Sequence, residues 1–195
     1  MRIKLTAVFL LLCLALLMPT RATFGDNAME PSKDEVFSAL AQLPVQGTTV
    51  NVKIYIRGYS SEADAQRLNG VLRDGGPAAL LKALRKMKSM GRIEKEGTVG
   101  FYDFKLILSK PSATGRRIYA LTDRPIGFLE AYFDTRSKDY PFGIMELELK
   151  GGDNEKQKGE GTLVYAARIK GLDAEKLDVE NVAFAPIRLL GVRQL

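Results

Sequence analysis

Thr48-Thr49-Val50-Asn51-Val52-Lys53-Ile54-Tyr55-Ile56-Arg57-Gly58 is the stretch whose period sets the fold class. Val50, Val52, Ile54 and Ile56 alternate with Asn51, Lys53, Tyr55 and Arg57. A period of two puts one face of a strand in a core and the other in water. Just beyond it the period changes. Ser60 or Ser61 caps a helix to about Arg73, with Glu62 and Asp64 in its electropositive first turn and Ala65, Leu68, Val71 and Leu72 as its stripe. Gly75-Gly76 ends that helix. Pro77 opens a second one, which buries Leu80, Leu81, Leu84 and Met87 and closes at Gly91.

Downstream the chain is rich in strands. Val99–Leu108 sets Tyr102, Phe104, Leu106 and Leu108 on one face, and Ile118–Thr122 follows the turn-rich Pro111–Gly115. Phe142–Leu149 and Thr162–Lys170 form a hairpin with a polar tip at Gly151–Gly161. Short strands at Leu177–Phe184 and Ile187–Val192 finish the chain, with Pro186 marking an edge or a bend between them. Upstream, Ser32 and Glu35 make a capping-box pattern, and Val36, Phe37, Leu40 and Leu43 fall at helical spacing before Pro44. A short helix is therefore expected inside an N-terminal linker, residues 23–47. The expected fold class is α+β: a mainly antiparallel curved sheet of about six to seven strands, with two adjacent helices inserted after the first strand. Residues 48–195 make a single domain in this reading.

Residues 1–22 have the pattern of an export signal. Arg2 and Lys4 supply a positive start, Leu5–Leu17 is an uncharged apolar run, and Thr20-Arg21-Ala22 offers a small-x-small cleavage site. At about 13 residues the run is shorter than the ~20 that a spanning helix needs. Cleavage near Ala22 would place the mature chain in the periplasm or outside the cell. Removing Arg2, Lys4 and Arg21 lowers the formal charge from +6 to +3, which is ordinary for a globular domain.

Composition excludes several chemistries. The chain has 195 residues, no histidine and one cysteine, Cys13, which lies inside the apolar run. Ser-His-Asp and Cys-His catalysis and His-ligated metals are thereby ruled out, as is an intrachain disulfide. No phosphate-cradling glycine motif is present, and no cofactor or metal is expected.

Two stretches stand out as candidate sites. Lys82, Arg85 and Lys86 fall within about 100° on a helical wheel, opposite the Leu/Met stripe, and suit an anionic lipid or glycan surface. Nucleic acid is disfavoured because no aromatics are interleaved for base stacking. The second stretch, Leu121–Tyr140, is aromatic, charged and turn-rich, and joins two strands through a long connection. Asp123, Arg124, Tyr132, Asp139 and Tyr140 are its candidate ligand-binding residues. Glu146 and Glu148 share one strand face, the pattern of a solvated surface as much as of a carboxylate pair.

Five runs carry a likeness to known sequences: Ala79-Leu80-Leu81-Lys82-Ala83-Leu84, Gly91-Arg92-Ile93, Gly97-Thr98-Val99-Gly100, Thr122-Asp123-Arg124-Pro125-Ile126 and Asp139-Tyr140-Pro141-Phe142. Together they resemble a family of uncharacterised exported bacterial proteins, over roughly Val50 to Val192. The resemblance implies export into the bacterial envelope and brings no activity or catalytic residue with it. The expected function is an exported, non-enzymatic binding or interaction module for a small ligand or an envelope component. The alternative is a histidine-free, carboxylate-dependent hydrolase or lyase.

Overall fold

Strand after strand in this chain pairs with its neighbour in sequence, and the last returns to the first. The computed structural model describes residues 34–43, 47–130, 140–151, 157–172, 177–181 and 186–195. The described elements run β1 (Glu35–Gln42), β2 (Thr49–Ile56), α1 (Glu62–Arg85), β3 (Gly91–Lys95), β4 (Tyr102–Ser112), β5 (Gly115–Thr122), α2 (Gly127–Glu130), β6 (Phe142–Lys150), β7 (Lys158–Leu172), β8 (Leu177–Asn181) and β9 (Ile187–Gln194). All pairings are antiparallel: β1 through β7 meander, β7 pairs with β9, and β9 pairs with β1. Eight strands thus close into a barrel. β8 lies outside the ring, bonded to Ala167–Leu172 of β7, whereas β9 takes Lys158–Leu163 of that strand.

This overturns the expected open sheet of six to seven strands with two helices. The cause is traceable to β1, which the sequence pattern makes a short helix in a linker. Val36, Phe37, Leu40 and Leu43 fit a helical period, but Phe37, Ala39, Ala41 and Leu43 fit a period of two equally well. The latter set is the buried one, and Leu40 faces out at 44% exposure. β1 bonds to both β2 and β9, so mistaking it for a helix removes the strand that closes the ring. Closure leaves no unpaired edge in the ring to recruit another chain. β3 also lacked a strand signal, since only Ile93 of its five residues is a large apolar side chain.

The barrel interior is packed with side chains. Phe37, Ile54, Phe104, Ile118, Met145, Leu147, Leu163, Tyr165 and Leu189 are at most 2% exposed and belong to one apolar cluster. β4 does not keep one face inward as expected. Its register against β5 shifts between Phe104 and Leu106, so Phe104 enters the barrel while Leu106 and Leu108 face outward. A second cluster forms there, where Ala65, Leu68, Leu72, Leu80 and Leu84 of α1 cover Leu106, Leu108, Leu121, Phe142, Ile144, Ala167 and Ile169. Each fully buried leucine contributes roughly 2 kcal/mol.

α1 begins as its sequence dictates. The Ser61 hydroxyl accepts from Asp64 N at 3.1 Å, and the Asp64 carboxylate accepts from Ser61 N at 3.3 Å. α1 is one helical element with a break at Gly76, whose φ of +69° and ψ of −171° suit only glycine, at the place where one helix was expected to end and another to start. Arg67 Nη2 lies 3.7 Å from Met87 Sδ. A straight helix would separate residues that far apart by about 30 Å, so the chain doubles back at the break.

The two barrel ends are finished differently. At the end where β1 and β5 start, Arg116 pairs with Glu35, donates to the Tyr59 hydroxyl at 2.9 Å and to Gln157 Oε1 at 2.8 Å. Tyr59 in turn donates to Glu35. At the other end the connection after β5 plugs the opening. Ile126 is fully buried in the interior cluster, its N–H bonds to Tyr165 O at 2.9 Å, and Phe128 packs edge-on to Tyr102 at 5.7 Å.

Candidate functional site

The doubling-back of α1 brings residues from its two halves together. Arg67 from the first half and Ala79, Lys82, Ala83, Lys86 and Met87 from the second line a shallow pocket of about 430 Å³. Its walls carry three cations and no carboxylate, and its floor is methyl groups and a thioether. Lys82, Arg85, Lys86 and Lys88 are exposed, and none makes an ion pair with any described residue. Arg67 is shared with Asp64 at 3.5 Å. Elsewhere several cations are committed, Lys105 to Asp123, Lys110 to Glu62, Arg116 to Glu35, and Arg117 to both Glu146 and Glu148, whereas Arg57, Lys150 and Lys158 are exposed and make no ion pair with any described residue, singly rather than as a cluster.

The α1 cations also have little structural duty at the helix end. The last carbonyls are met by backbone donors, Lys86 N to Ala83 O at 3.1 Å and Met87 N to Leu84 O at 2.9 Å. The helix dipole adds only a few tenths of a kcal/mol per exposed cation, about 0.3–1 kcal/mol at most. Lys82 and Lys86 line the pocket, and Arg85 does not. The sequence reading missed Arg67 and the floor residue Met87, whose meeting depends on the break at Gly76.

Of the connection expected to bind a ligand, residues 121–130 and Tyr140 are described. The Asp123 carboxylate lies 3.9 Å from Lys105 Nζ, both side chains being largely buried. Arg124 Nη2 donates to Phe101 O at 3.0 Å, and its guanidinium sits 4.9 Å above the Tyr102 ring. Tyr140 is half-buried against the interior cluster, with Arg168 5.3 Å over its ring. Asp123, Arg124 and Tyr140 thus engage the protein itself and hold the plug in place. Tyr132 and Asp139 lie outside the described residues.

The carboxylates weighed for hydrolysis are likewise engaged. Arg117 takes Glu146 at 3.1 Å and Glu148 at 2.9 Å on the outer face of β6. Among the described residues no group of three or more acidic, His or Cys side chains could hold a metal ion. No described helix is long and apolar enough to cross a membrane. Compared with family models, with curated proteins and with solved structures, the chain matches none.

Proposed function

We propose that this chain is an exported, non-enzymatic binding module of the bacterial cell envelope that holds an anionic group of its ligand on α1. The observation that carries this reading is the cluster of exposed cations that make no ion pair with any described residue, two of which join Arg67 around an apolar floor. Export is supported by the charged start, apolar run and small-x-small site of residues 1–22. The packed barrel interior argues for a ligand held outside the barrel.

The test is a thermal-shift titration of the full chain with a soluble polyphosphate, at low and high salt. A ligand at 100 times its dissociation constant adds roughly 2.7 kcal/mol, a rise of several degrees in Tm. The shift is expected to vanish at high salt, because the screening length falls from about 10 Å at 0.1 M to about 3 Å at 1 M, and in Lys82→Glu/Lys86→Glu, because the charges are reversed. A shift that survives in that variant would place the anion elsewhere and contradict the proposal.

A further inference from the structure

The β3–β4 hairpin ends in an apolar tip. Val99 is 107% exposed and Phe101 44%, two of the few large apolar side chains exposed among the described residues. The tip has a defined shape. Gly97 and Gly100 take φ of +76° and +121°, and Thr98 Oγ1 donates to Lys95 O at 3.0 Å. Its neighbouring acids are neutralised, Glu96 by Lys53 at 3.1 Å and Glu94 by Arg92 at 3.5 Å. Arg92 also lies 5.2 Å from the Phe101 ring.

A short series of contacts links this tip to the cations of α1. Arg124 donates to Phe101 O, its neighbour Asp123 pairs with Lys105, and Lys105 Nζ donates to Met87 O at 3.5 Å beside the pocket. Arg124, Asp123 and Lys105 thus bridge the tip to the carboxyl end of α1, and the three make one connected sector. An apolar wedge joined to cations that pair with no described residue is what an interface of anionic headgroups over acyl chains accommodates.

We infer that this sector docks on a bilayer containing anionic phospholipid, with Lys82, Arg85 and Lys86 against the headgroups and Val99 and Phe101 entering the acyl boundary. The inference rests on the anion-binding reading of α1 and names its partner. Two weak signals combine, so removing either lowers vesicle partitioning by about tenfold.

The chain has no tryptophan, so Val99→Trp is a single-site emission reporter at a position that packs against nothing. The variant, made as the mature residues 23–195 so that the cations and apolar run of residues 1–22 cannot themselves bind vesicles, is mixed with phosphatidylcholine vesicles, with or without an equal part of phosphatidylglycerol, and is also made in the Lys82→Glu/Lys86→Glu background. Equal melting temperatures establish that each variant folds. The expected result is a blue shift of the indole emission on the anionic vesicles alone, lost with the two lysines. If the lysine substitutions reduce vesicle pelleting while the indole emission stays fixed, the α1 reading stands and bilayer insertion is overturned. If neither pelleting nor emission responds to the lysines, both are overturned.

Discussion

Gly143 shows how single residues hold the plug against the barrel. A Cβ there would lie 2.7 Å from Ile126 Cγ1 and 2.8 Å from Thr122 Oγ1. Thr122 is fully buried and accepts from Gly143 N at 2.6 Å, so the β5 end, the plug and the β6 start meet at one point. Tyr59 has a comparable role at the opposite end. Burial, and next the hydrogen bond to Glu35, push its phenol well above the usual value, with Arg116 opposing. A raised folded-state pKa favours the neutral phenol, so its contribution is complete below the ordinary tyrosine pKa of about 10 and is lost as pH rises further. Urea midpoints should therefore fall above that pH in the native chain and fall less steeply in Tyr59→Phe; superimposable profiles would contradict the assignment. At this scale the candidate site was only half legible. Lys82 and Lys86 could be found because a helical wheel is local. Asp123 and Arg124 looked available because their partners, Lys105 and Phe101, come from another strand and its approach.

Elements were legible where their signals are local. The start of α1 was legible to within one residue, Ser60 or Ser61, and Ser61 is the cap; the alternation of β2 was decisive. β1 failed because Ala39 and Ala41 carry little apolar weight, although the crowded barrel wall needs small side chains at those positions. Gly75-Gly76-Pro77 has the pattern of one helix ending and another starting. The structure keeps a single element and uses the break to return the chain on itself. Two glycines of α1 should therefore respond oppositely to alanine. Gly76→Ala forces a side chain into a glycine-only conformation and should cost roughly 1–3 kcal/mol. Gly70 has open space around the position of a Cβ and no positive φ, so Gly70→Ala should stabilise by about 0.5–1 kcal/mol. Urea denaturation measures both, and the same sign for the two would refute the break.

At the scale of the whole molecule, closure divides the apolar residues between two cores and leaves function to the outside. One core fills the barrel and the other lies under α1. The sequence displayed most of the strands but not the ring, because closure depends on which strands pair, and the decisive pairing joins β1 to β9 across nearly the full length of the domain. With its interior filled and one end plugged by Ile126, the barrel serves as a support that fixes the two halves of α1 and the hairpin tip. The proposed function places recognition on α1 rather than on the long connection after β5. Chemical-shift mapping of the full chain with soluble polyphosphate tests that assignment most directly. The predicted result is a set of shifts confined to Arg67 and the segment 79–88. Shifts centred on residues 123–140, with α1 unmoved, would contradict it.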